Sequence, residues 1–141
     1  MSWLKRLMLG TPESKKDSGP TPTAVADSAY EKTATGLEYY DIQVGAGASP
    51  AKGTQVVVHY RGWLTSGKRF DSSVVRGKPF RFVVGRRKVT KGWDEGVMSM
   101  KVGGVRQLKV PPAIGYGARG NPPVIPVNAT LIFEIEFLEI G

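Results

Sequence analysis

The sequence contains no cysteine and a single histidine, His59. The first absence excludes disulfides, thiol nucleophiles and cysteine-based metal sites. The second excludes a metal site built from several imidazoles. No apolar run reaches the roughly 20 residues that a membrane-spanning helix requires, so no span is expected. Acidic residues are also scarce, 12 against 20 lysines and arginines, which leaves a formal charge of +8 and a pI near 9.9. A basic surface attracts nucleic acid, anionic membranes or acidic proteins but carries no information about fold. The charge is uneven: Arg76, Lys78, Arg81, Arg86, Arg87, Lys88 and Lys91 follow one another with no acid between them. No nucleic-acid-binding motif accompanies this cluster. It reads as a solvated basic face, with no specific nucleic-acid partner expected.

What the chain does have is turn chemistry: 18 glycines and 10 prolines in 141 residues. Both residues punctuate chains at turns, so a loop-rich β protein of one domain is expected. The opening "MSWLKRLMLG" places Trp3, Leu4, Leu7 and Met8 at helical spacing. That stretch is too short for a stable free helix and too broken for a signal peptide. The following Thr-, Ser-, Pro- and Lys-rich run has almost no large apolar residue. Residues 1–33 are therefore expected to be a flexible extension, and residues 34–141 the folded domain. The expected compartment is the cytoplasm.

From Gly36 the pattern becomes that of strands. "LEYYDIQVG", "TQVVVHYRGWL", "KRFDSS", "KPFRFVVG", "VRQLKV" and "TLIFEIEFLEI" each fit one. Along them Val56, Val58 and Tyr60 share a face, as do Phe80 and Phe82, and Phe133, Ile135 and Phe137. "TKGWDEGVMSM" is the one convincing helix, with Trp93, Val97 and Met100 on one stripe. Thr90 suits its N-cap, where a hydroxyl can accept a bond from a free backbone N–H. Asp94 and Glu95 stand in the first turn, where the helix dipole favours anions. "PPAIGYGARGNPPVIPVNA" is a long loop that contains Tyr116, Val124 and Ile125, and is expected to be an ordered binding loop. The fold class is α+β: a curved antiparallel sheet wrapped around one short helix.

Tyr60, Phe70, Asp71, Phe80, Trp93, Tyr116 and Phe133 can then converge between helix, sheet and loops. Binding sites are mostly apolar with a few placed polar groups. Taken singly, each aromatic is better explained by core packing, and Asp71 by turn formation.

The segments "VVHYRGWL", "GKRFDSS", "GKPFRFVVG", "KGWDEGV", "IGYGARG" and "VIPVNATLIFEIE" occur in this order with short spacers. Together they resemble an FKBP-type peptidyl-prolyl cis–trans isomerase over about residues 34–141. The resemblance implies a prolyl isomerase that assists protein folding as a chaperone. Its partners would be proline-containing polypeptides and macrolides of the rapamycin type, and it would act as a monomer without cofactor or metal. It implies catalytic roles for Phe70, Asp71, Thr90 (through its backbone N–H) and Tyr116. It implies substrate contacts from Tyr60, Arg76, Phe80, Val89, Trp93, Val124, Ile125 and Phe133, with Trp93 as the pocket floor and Arg76 paired to Asp71. Thr90 departs from the isoleucine or valine common in the family, and Lys88 stands where an acid is common. An inactive proline-binding module and an adaptor that uses the basic face remain open as other classes.

Overall fold

The computed structural model describes residues 21–141. The amphipathic opening around Trp3 and Leu7 lies outside the described residues. The chain runs β1 (Glu31–Lys32), β2 (Glu38–Gln43), β3 (Gln55–Leu64), β4 (Arg69–Ser72), α1 (Ser73–Arg76), β5 (Phe80–Val83), α2 (Lys91–Met98), β6 (Val105–Val110) and β7 (Leu131–Ile140). All strand pairings are antiparallel, in the order β1-β2-β6-β7-β3-β4, with β5 on the first half of β3. The α+β reading of a curved sheet around a short helix holds.

Alternation along the strands builds the core. Val56, Val58, Tyr60, Phe133, Ile135 and Phe137 all turn toward α2, with Leu108 and Val110 of β6 beside them. Trp93, Val97 and Met100 bury the helix stripe against this face. Two glycines allow the close approach. A Cβ on Gly92 would stand 2.7 Å from Val110 Cγ1, and one on Gly96 2.7 Å from Leu108 Cδ2. The pair sits four residues apart on one side of the helix, so α2 lies with its backbone almost on the sheet. Trp93, between them in sequence, is thereby fixed in depth.

Three features differ from the sequence reading. "SSVVRG" forms the four-residue helix α1, capped by the Ser72 hydroxyl, which accepts from the Val75 N–H, and ended by Gly77 at φ 72°. The Thr90 hydroxyl does not cap α2. The Trp93 N–H that it would satisfy donates to the Thr90 carbonyl at 3.1 Å instead. Asp94 reaches out of the first turn and accepts from the Gly85 and Arg87 N–H groups at 2.8 and 3.0 Å, which ties the preceding turn to the helix.

Ordered contacts also extend into the segment that the sequence assigns to the flexible extension. On the face of the sheet away from α2, the Thr23 N–H donates to Glu134 Oε2 at 2.7 Å and its carbonyl accepts from Gln107 Nε2 at 2.8 Å. The Tyr30 hydroxyl donates to Gln107 Oε1, and Lys109 lies 4.9 Å from the Tyr30 ring centroid. Glu134 and Gln107, both buried, are polar side chains that need such partners.

Candidate active site

A cavity of about 240 Å³ opens between α2, the sheet and the loops. Tyr60, Phe70, Asp71, Phe80, Lys88, Val89, Thr90, Trp93, Tyr116 and Phe133 line it. Nine of these are residues singled out by sequence, and the tenth is Lys88, two residues before Thr90. Arg76 stands just outside and bonds to the lining. Ile125 is in the core at 2% exposure and Val124 is 51% exposed, neither on this lining.

Trp93 is the centre of the aromatic array. Its ring meets Tyr60 at 4.9 Å and 82°, Phe133 at 5.3 Å and 89°, and Phe80 at 6.0 Å and 79°. These are edge-to-face pairs, in which the positive rim of one ring meets the negative face of another. Phe82, on the same strand face as Phe80, supports Trp93 from a tilted contact at 5.7 Å. Phe70 meets Phe133 at 5.7 Å and 83° over Gly62. A Cβ on Gly62 would come within 2.8 Å of Phe70 and 2.9 Å of Phe133, so a larger residue there would push both rings into the cavity.

One side of this apolar basin is polar. The Tyr60 hydroxyl donates to Asp71 Oδ2 at 2.6 Å, and the Ser72 N–H donates to Asp71 Oδ1 at 2.9 Å. Arg76, from α1, donates to Asp71 Oδ1 and, at 3.0 Å, to the Tyr60 oxygen. The unforeseen α1 is what brings Arg76 back over Asp71, five residues earlier. Burial, and next the bond to Asp71, push the Tyr60 phenol above its usual value. The phenol therefore stays protonated at neutral pH. Stability linked to that proton is present below the unfolded value of about 10 and is lost as pH rises through the raised folded value. The bonds to Tyr60 and then Asp71 raise the Arg76 guanidinium, which stays charged throughout.

Tyr116 enters from the loop after β6, whose single-turn helix at Pro112–Ile114 drives Ile114 into the core. Further on, Asn121 and Ile125 pair through two backbone bonds of 2.9 and 3.0 Å across a cis Pro122–Pro123 peptide. The loop is ordered by its own backbone. At the far wall, Thr90 presents a buried hydroxyl with no hydrogen-bond partner. Among the described residues its N–H also takes no backbone acceptor. An unsatisfied buried hydroxyl is destabilising by about 1–3 kcal/mol. Thr90→Val keeps the shape and removes it, and no cap is lost because none is made. The variant is expected to be about 1 kcal/mol more stable in urea unfolding. An unchanged or lower midpoint would mean the hydroxyl has a partner in solution.

Among the described residues no group of three or more His, Asp or Glu side chains is placed to hold a metal ion. No helix there is long and apolar enough to cross a membrane.

The family model for the FKBP-type peptidyl-prolyl cis-trans isomerase matches residues 47–138. FK506-binding protein 4 of Dictyostelium discoideum is 54% identical over 74% of this chain, which spans 28% of that relative. An FK506-binding protein of Neisseria meningitidis serogroup A is 51% identical over 71% of this chain and 92% of its own length. Among solved structures, FkpA from Escherichia coli superposes with a TM-score of 0.76 at 36% identity, covering 91% of this chain and 55% of that one. The aromatic cavity, the sheet around α2 and these matches converge: the chain belongs to the FKBP-type peptidyl-prolyl cis–trans isomerases.

Proposed function

We propose that the cavity floored by Trp93 is where this isomerase takes up the X-Pro bond of a polypeptide and lowers the barrier to its rotation. The observation that carries this reading is the ring of Tyr60, Phe80 and Phe133 edge-on to Trp93, beside a fixed Tyr60–Asp71–Arg76 network. The uncatalysed barrier is about 20 kcal/mol and arises from lost amide resonance. In the twisted state the C–N bond is single-like and the carbonyl is less polarised. A dry apolar cavity favours that state over the planar one more than water does, which is differential binding without a covalent step.

In this reading Trp93, Tyr60, Phe80, Val89 and Phe133 hold the pyrrolidine ring. The Thr90 N–H and the Tyr116 hydroxyl hold flanking carbonyls, and Phe70 closes the side. Asp71, held by Arg76, orients the rotating carbonyl and need accept no proton. Val124 and Ile125 belong to the loop that borders the substrate path. The domain acts as a monomer on proline-containing polypeptides in the cytoplasm, as a folding catalyst and chaperone. A macrolide of the rapamycin type fills the same cavity. The test is a protease-coupled proline-peptide assay with and without rapamycin. Acceleration that rapamycin abolishes supports the reading. Isomerisation at the uncatalysed rate would leave a binding module instead.

The catalytic unit is placed in residues 34–141, with residues 1–33 dispensable for turnover. The cavity is on the α2 side of the sheet, whereas Thr23 and Tyr30 bond to Glu134 and Gln107 on the other side. A chain starting at Ala34 is expected to lose about 1–2 kcal/mol of stability, because two buried polar groups lose partners. Its kcat/KM on short peptides should equal that of the full chain. A large drop in turnover at a temperature where the shortened chain is fully folded would show that the segment acts on the cavity.

A further inference from the structure

Phe80 lines two spaces. One is the cavity beside Trp93, and the other is an open groove of about 610 Å³ formed by Arg76, Lys78, Pro79, Phe80 and Arg81. Pro79 and Phe80 give the groove an apolar side, and the rest of its lining is cationic with no carboxylate. Arg76 is committed to Asp71 and Tyr60. Lys78 and Arg81 are exposed and make no ion pair among the described residues. Lys88, also without an ion pair there, stands on the cavity wall itself.

We propose that this groove is a subsite for an acidic residue of the substrate polypeptide, a few positions from the proline on one flank. The proposal rests on the reading of the cavity as the prolyl site, and it names the substrate class that site prefers. A chain seated with its proline against Trp93 and Phe80 has a continuous path over the Phe80 ring into the groove. There the unpaired Lys78 and Arg81 face water and attract a carboxylate without entering the apolar basin. The formal charge of +8 adds long-range attraction of the same sign. The charges do not touch the rotating bond, so they act on binding and not on rotation. An acidic polypeptide is favoured over nucleic acid because the groove opens from a cavity shaped for a small ring, and a single ring at its edge gives no run of stacking platforms for successive bases.

The test compares Leu-Pro peptides that differ by Glu or Gln at each flanking position. At low ionic strength one flank is expected to show a kcat/KM ratio, Glu over Gln, of about three to ten, since exposed pairs act weakly and additively. The difference should lie in KM, with kcat unchanged. The ratio should fall toward one at about 0.5 M salt, where exposed charges are screened within a few ångströms. In Lys78→Glu/Arg81→Glu it should fall to one or below, and in the milder Lys78→Gln/Arg81→Gln to near one. Peptide affinity read by tryptophan fluorescence tests the groove apart from turnover. No acceleration of any peptide would overturn the isomerase reading, while tighter Glu binding in that titration would still support the groove. Acceleration with equal Glu and Gln values at low salt would overturn the groove alone. So would a preference that survives both double variants. Salt-sensitive binding of a single-stranded oligonucleotide, lost in these variants while the peptides stay equal, would make the groove a nucleic-acid surface and also overturn the proposal.

Discussion

Trp93→Leu is expected to leave a folded protein with kcat/KM reduced on the order of tenfold to a hundredfold, because a small misplacement of bound substrate has effects of that size. Leucine still fills part of the space between α2 and the sheet. It removes the edge-to-face contacts with Tyr60, Phe80 and Phe133 and lowers the cavity floor. Trp93→Ala is the less informative change. Cutting a buried tryptophan to alanine is destabilising by about 3–5 kcal/mol, a large part of the 5–15 kcal/mol that holds a domain together. Lost activity there would not separate a pocket from a core. With leucine the stability loss should stay near 1–3 kcal/mol, and urea unfolding checks this independently of the assay. Rapamycin affinity should fall in parallel with activity. A folded leucine variant with full turnover and unchanged macrolide affinity would make Trp93 a core residue and nothing more.

Trp93 also shows how far the sequence could be read. Period-two alternation in "VVVHYRG" and "IFEIEF" assigned faces correctly, since a half-buried strand has to alternate. Val56, Val58 and Tyr60 face α2, as do Phe133, Ile135 and Phe137. The helix stripe was legible for the same reason at period 3.6. Helix α1 was not, because four residues give no periodicity. Its signs are local: a serine at the cap and Gly77 beyond the last turn. The cap at Thr90 was placed correctly, but its hydroxyl was misassigned, because backbone geometry decided which acceptor the Trp93 N–H takes. For the cavity, strand and helix faces suggested an aromatic basin, but the role of each residue in it came from the resemblance. The ties of Asp94 to the 85–87 turn and of Thr23 to the far face were invisible. They join groups whose separation in sequence carries no pattern.

Another such tie yields the other large effect. Arg106 stands on the inner face of β6 and is only 5% exposed. It donates to Asp41 at 2.7 and 3.2 Å, to the Gly96 carbonyl at 2.9 Å and to the Ser99 hydroxyl at 2.6 Å. Its guanidinium carbon lies 4.1 Å from the Tyr39 ring centroid. One side chain thus joins β2, β6 and the end of α2, where a cation also meets the negative end of the helix dipole. Asp41→Ala is expected to be destabilising by about 2–3 kcal/mol. The value lies below the usual 3–5 for a broken buried pair because Asp41 itself is partly wet. The loss arises mainly from the guanidinium left without its anion. Adding Arg106→Met to Asp41→Ala removes that charge and should recover part of the stability, so the pair is non-additive. Activity should follow more weakly, since α2 holds Trp93 through Gly92 and Gly96 as well as through this link. If Asp41→Ala unfolds within about 0.5 kcal/mol of the parent, water already satisfies Arg106. The tie from β2 would then add nothing, and Arg106 would join β6 to the helix end only through Gly96 and Ser99.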